Sequence, residues 1–174
     1  MFKKISIFFL GIMLFGFGFL DSSQAQVENI EIGVDGLACP FCAFGLEKKL
    51  KKIKGVGEVK IYVDKGLAVL GHKKEQSIII DELAAAVKDA GFTPGAIKAT
   101  VVGKVTQSDG TLVFSAAGSD IMFMINENDE LQKLRSELQE PEKKFRITGR
   151  LVHENPKGHH AHPYTLSIEK FEVL

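Results

Sequence analysis

The only two cysteines of this 174-residue chain, Cys39 and Cys42, stand two residues apart in "DGLACPFCAFGLEKKLKKIKGV". Pro40 between them suits the first turn of a helix, where its missing N–H is not needed. Unpaired backbone N–H groups and the positive end of a helix dipole stabilise a thiolate at that place. Two neighbouring thiolates on a short loop can grip a soft ion of low coordination number, Cu(I) or Hg(II). Zn(II) or Cd(II) would call for further ligands. The same pair can instead carry thiol–disulfide chemistry. A structural staple is the weakest reading, because a disulfide across so short a loop removes little chain entropy.

A second group of candidate ligands lies far along the chain. "HENPKGHHAHPY" brings His153, His159, His160 and His162 into one Pro/Gly-containing stretch. Imidazoles suit Zn(II), Cu(II) or Ni(II), so this stretch is a candidate for a second, harder metal site. A solvated hairpin loop that happens to hold histidines accounts for it slightly better, since a short His-rich tract is only a compositional signal. Met122 and Met124 in "IMFMI" offer thioethers to copper on paper, and core packing among Ile and Phe is the simpler explanation. His72 reads as ordinary surface.

The elements that must position the cysteines follow from periodicity. "NIEIGVD" alternates Ile30, Ile32 and Val34 with polar or small residues, as a half-buried strand does. From Pro40 the pattern turns helical, with Leu46, Leu50 and Ile53 on one stripe and Gly55 as the stop. "GEVKIYVDKGLAVLGH" predicts a hairpin turning at Asp64-Lys65-Gly66. "SIIIDELAAAVKDAGF" predicts a second helix, with Ser77 as N-cap and Gly91 as its end. "GAIKATVV" is a further strand. The order strand, helix, strand, strand, helix, strand is that of a ferredoxin-like βαββαβ sandwich, an α+β fold with both helices on one face.

The remainder has a different grammar. Two strands around Ser108-Asp109-Gly110, a third in "DIMFMIN", a helix with Leu131, Leu134 and Leu138 capped by Asn128 or Asp129, and strands in "KFRITGRLVH" and "YTLSIEKFEVL" follow in turn. Three strands, a helix and two strands is the order of a small OB-like β-barrel. No Pro/Gly/Ser linker marks the junction near residue 100, so one strand is free to run through it. The expected domains are a signal peptide at 1–25, the first α+β unit at 26–99 and the OB-like unit at 100–174.

Lys3, Lys4, the apolar run "ISIFFLGIMLFGFGFL" and small residues Ser23 and Ala25 carry the signal-peptide reading. It implies a periplasmic or secreted protein with no permanent membrane span after cleavage. Charge is balanced, with 22 Lys plus Arg against 22 Asp plus Glu, which argues against a nucleic-acid partner. No Ser-His-Asp set, phosphate loop or paired carboxylate motif is visible, so no enzyme is expected. The lysines from Lys48 to Lys54 read as a solvated face, or as a docking surface for an acidic partner domain.

Residues 29–101 resemble the heavy-metal-associated domain family, which includes copper chaperones and the periplasmic mercury-binding protein. The family motif Gly-Met-x-Cys-x-x-Cys reads here Gly36-Leu37-Ala38-Cys39-Pro40-Phe41-Cys42. Gly55-Val56, "VKIYV" and "DELAAAVKDAGF" extend the likeness over every element. The resemblance implies an exported soft-metal carrier that captures Cu(I) or Hg(II) through Cys39 and Cys42 and passes it to a membrane transporter. It also implies that residues 35–38 shape the loop and that Phe92 packs beneath it. Leu37 keeps the apolar anchor of the family Met without its thioether, and Ala38 supplies no hard ligand. "CPFC" is similar also to the Cys-Pro-Tyr-Cys of glutaredoxins, which implies an envelope thiol-disulfide redox protein. A thioredoxin-like chain, however, needs a parallel βαβ unit after its thiols, and a hairpin is expected here.

Overall fold

The computed structural model describes residues 27–74, 76–108, 111–117, 121–138, 143–153 and 164–174. The expected signal peptide lies outside the described residues, as do His159, His160, His162 and most of the turn at residues 108–110.

The first half runs β1 (Val27–Asp35), α1 (Pro40–Leu50), β2 (Val56–Tyr62), β3 (Leu67–His72), α2 (Asp81–Asp89) and β4 (Thr93–Ser108). Its strands line up β2-β3-β1-β4, every pair antiparallel. That is the expected ferredoxin-like arrangement. Ile30, Ile32 and Val34 of β1 meet Leu46 and Leu50 of α1 and Leu83 and Val87 of α2 in one core. Fully burying each such side chain contributes roughly 1.5–3 kcal/mol.

Two local expectations are corrected. Helix α1 ends at Leu50 rather than running on to Gly55, and Lys51–Gly55 form turns. Gly55 then passes against Ser77 and Ile78 at φ 85°, where an added β-carbon would stand 2.0 Å from the Ser77 carbonyl oxygen. Ser77 is therefore not the cap of α2: its carbonyl lies against Gly55, and the helix starts after Ile80 with no side-chain cap. Asp81 and Glu82 in the first turn supply the negative charge that the helix start favours instead.

β4 has 16 residues and passes through residue 100 unbroken. One edge of its first part pairs β1, its last part pairs β5 (Thr111–Ala116), and residues 97–103 also pair β7 (Phe145–His153). β5 pairs β6 (Met122–Ile125), β6 runs parallel to β8 (Tyr164–Val173), and β8 pairs β7. The circuit β4-β5-β6-β8-β7-β4 closes a five-stranded barrel. Helix α3 (Asp129–Glu137) connects β6 to β7 and buries Leu131 and Leu134. Asn128 caps it by accepting from the Leu131 N–H at 2.9 Å, and its amide donates to the Ile168 carbonyl at 2.7 Å.

Phe123 and Ile125 point into the barrel, which leaves Met122 exposed and Met124 half-buried. Core packing is thus wrong for the two methionines: strand alternation gives the interior to the residues between and after them. His72 is half-buried rather than plain surface, with Nδ1 3.0 Å from the Glu28 carbonyl.

The two halves share more than a strand. The Arg146 guanidinium on β7 donates to Glu28 on β1 at 2.9 Å and to Glu172 on β8 at 2.9 Å. Lys98 meets Glu169 at 2.7 Å. Tyr164, opposite His153 in the β7–β8 pairing, donates its phenol proton to Asp81 at the start of α2.

Candidate metal site

The cysteine loop leaves the carboxyl end of β1, and three neighbours fix it. Asp35 pairs with Thr93 at the start of β4, and the Val34 N–H donates to the Gly66 carbonyl of the β2–β3 turn at 2.7 Å. Gly36 turns the chain at φ 87°, with a β-carbon position 4.0 Å from the Phe92 ring. Leu37 is buried in the main core and pins the loop, while Ala38 is exposed. Phe92 is half-buried at the end of α2, against this turn.

Cys39 is the N-cap of α1, with φ −137° and ψ 135°. Its Sγ accepts from the Cys42 N–H at 3.3 Å, the role that a Ser or Asp oxygen plays at other helix starts. Pro40 follows at the first helical position, and the first turn carries no acidic residue to compete with a thiolate. The two sulfurs lie 2.8 Å apart as free thiols, the Cys42 S–H donating to Cys39 Sγ. A disulfide would be about 2.05 Å.

That one shared proton splits the two thiols. The bond from the Cys42 thiol, followed by that from its backbone N–H, holds the Cys39 pKa below the usual thiol value. The same bond, then desolvation and the nearby Cys39 charge, push the Cys42 thiol up. Cys39 is the half-buried partner and Cys42 the exposed one. The first thiolate thus forms at the cap, and the second sulfur stays accessible from solvent.

Among the described residues no three His, Cys, Asp or Glu side chains come together. The cysteine pair offers two sulfurs and no third ligand from those types within that set. His153 ends β7, and its three companions are outside the described residues, so the histidine stretch and the cysteines are not brought into one described site.

A feature absent from the sequence reading surrounds the pair. Phe41 is 91% exposed and Phe44 60% exposed, with Lys48 Nζ 4.5 Å from the Phe44 ring centre. The spacing 41, 44, 48 sets them on the side of α1 away from Leu46 and Leu50. That helical offset was the available signal.

A family model described as the heavy-metal-associated domain matches residues 31–93, from inside β1, through both cysteines, to the first residue of β4. Those residues are a heavy-metal-associated domain. Solved structures similar to it include oxidised MerP from Ralstonia metallidurans CH34, 24% identical over 39% of this chain and 93% of that one, TM-score 0.35. The N-terminal domain of PacS from Synechocystis PCC6803 is 24% identical over 38% of this chain and 92% of that one, TM-score 0.34. The yeast copper transporter domain CCC2A is 20% identical over 39% of this chain and 92% of that one, TM-score 0.35. No curated protein sequence matches the chain. The matched residues lie within the α/β half, ahead of β5–β8 of the barrel.

Proposed function

We propose that this chain is an exported soft-metal-binding protein that captures Cu(I) or Hg(II) through Cys39 and Cys42 and passes the ion to a membrane transporter. The observation that carries the reading is the pair of unlinked thiols 2.8 Å apart at the start of α1, inside a heavy-metal-associated domain. Soft sulfur ligands select soft ions, and Ala38 and Leu37 add no hard or thioether ligand.

Uptake has a geometric requirement. Two sulfurs on opposite sides of one ion, each at about 2.3 Å as in zinc thiolates, stand about 4.6 Å apart. The thiols must therefore spread from 2.8 Å, and exposed Cys42 is the one with room to turn while Cys39 keeps its cap bond. Both thiol protons leave to solvent as the thiolates close on the ion. Hand-over then proceeds by ligand exchange, an incoming thiolate replacing one of the two before the other lets go.

The thiol–disulfide reading has less support, because α1 is followed by the antiparallel β2–β3 hairpin and not by a parallel βαβ unit. The signal-peptide features of residues 1–25 support export to the periplasm or beyond. The barrel's strand order, with a parallel β6–β8 pair and a helix before β7, supports an OB-like reading of the carboxy-terminal unit.

The test is a titration of the reduced chain from Gln26 onward with Cu(I), Hg(II) and Zn(II), with Cys39→Ser/Cys42→Ser alongside. One tightly held soft ion per chain, absent from the double variant, is expected. A reduced wild-type protein that keeps no soft ion through dialysis against a weak competitor overturns the reading.

A further inference from the structure

Helix α1 carries a second, outward stripe that the metal reading does not use. Phe41, Phe44, Gly45 and Lys48 recur at helical spacing on the side opposite buried Leu46 and Leu50, all four exposed, and exposed Lys52 follows in the turn just beyond the helix. Leaving two phenylalanines in water costs the burial energy they would gain elsewhere, so their exposure marks a contact face. No acidic residue stands in the stripe. Glu47 is off to its side and is paired with Lys51 at 2.5 Å. Lys49 and Lys52 share a groove of about 290 Å³ with Glu82 and Asp89 of α2, along the flank of the helix.

The same end of the molecule repeats the pairing of ring and cation. Tyr62 is 39% exposed with Lys65 Nζ 5.3 Å from its ring centre, in the β2–β3 turn whose Gly66 carbonyl holds Val34 beside the cysteine loop. Asp35 closes β1 and Asp64 lies in the β2–β3 turn, both at this end and outside the helix stripe.

Apolar rings at the leading end of a helix with lysines along the same side match a bilayer interface. Rings enter the headgroup region while ammonium groups on long stems meet the phosphates. An acidic protein surface could answer the same lysines and rings, and the experiment below separates it from lipid. Juxtaposed lysines also attract anionic lipid more than zwitterionic lipid.

We propose that the outer stripe of α1 docks this chain onto an anionic phospholipid surface, with Phe41 and Phe44 seated among the headgroups and Lys48 and Lys52 against their phosphates. The stripe then sets the helix start that bears Cys39 and Cys42 against the bilayer. The inference does not draw on the identity of the cargo, and metal-free reduced protein is the material for its test.

The experiment is flotation of the chain from Gln26 onward, which contains every described residue, with phosphatidylcholine vesicles with and without phosphatidylglycerol. Binding is expected only with phosphatidylglycerol, weakening as salt is raised. Phe41→Ser/Phe44→Ser should lower the affinity about tenfold and Lys48→Glu several-fold, each with unchanged far-UV circular dichroism, as suits side chains that touch no core. Lys48→Glu should keep wild-type ion stoichiometry, which separates failure here from failure of the metal reading. Absence of binding to either vesicle at low salt overturns the proposal, as does equal binding by the variants. Lys48-dependent binding to polyglutamate without vesicle binding overturns it too, in favour of an acidic protein partner.

Discussion

Tyr164 on β8 and Asp81 at the first position of α2 are joined by a hydrogen bond from phenol to carboxylate, across 83 residues of sequence. The bond ties the last strand of the barrel to the helix that ends against the cysteine loop.

Burial, then the bond to Asp81, raises the Tyr164 pKa well above the ordinary value of 10.0. The folded state therefore holds the phenol proton more tightly than the unfolded chain. The stability this contributes is complete below pH about 10 and is lost as pH climbs through the raised folded value. A Tyr62→Phe protein, which leaves Tyr164 as the only tyrosine, should show phenolate absorbance rising late and together with unfolding. Tyr164→Phe should cost about 1 kcal/mol at neutral pH, measured by urea unfolding.

The unequal thiols predict an order of reaction. Limiting iodoacetamide at neutral pH should mark Cys39 ahead of Cys42, because only the Cys39 pKa is lowered. Peptide mass spectrometry reads the ratio, and preferential labelling of Cys42 would contradict the assigned direction of the shared proton.

Two glycines with similar backbone angles should respond differently to the same substitution. Gly55 (φ 85°) and Gly91 (φ 89°) both hold conformations that cost an L-residue roughly 1 kcal/mol. A β-carbon at Gly55 also meets the Ser77 carbonyl at 2.0 Å, whereas at Gly91 nothing lies within 4 Å. Gly91→Ala should lose about 1 kcal/mol and Gly55→Ala about 2–4 kcal/mol, the excess being overpacking. Equal losses in thermal melts would mean that the contact is not tight.

At the barrel, Asn128 does two jobs that substitutions can separate. Asn128→Asp keeps the cap acceptor for Leu131 N–H and gives up the donor to Ile168, while Asn128→Ala loses both. The Ala variant should be destabilised by about 1–2 kcal/mol. The Asp variant should fall between it and wild type in denaturant midpoint.

Much of the arrangement around the thiols was legible because it is local. Pro40 beside Cys39 announced a helix start, and Leu46 and Leu50 gave its buried side. What stayed hidden is what neighbours decide. Ser77 has the chemistry of a cap, yet Gly55 claims its carbonyl side, a contact between segments 22 residues apart. Met122 and Met124 lie among apolar letters, and only the pairing of β6 with β5 and β8 settles that Phe123 faces inward. The exposed Phe41 and Phe44 were concealed by the habit of sending phenylalanine to the core. The element order of the second half was readable, but the double use of β4, with β1 and β7 on its two edges, was not.

That shared strand has a mechanical consequence. A peptide ribbon paired on both edges over residues 97–103, where the two halves meet, leaves no swivel between the thiol-bearing end and the barrel. The cysteines cannot swing out on a tether to meet an acceptor. Under the proposed hand-over, delivery would require tumbling of the entire body, and anything that grips the barrel would also aim the sulfurs.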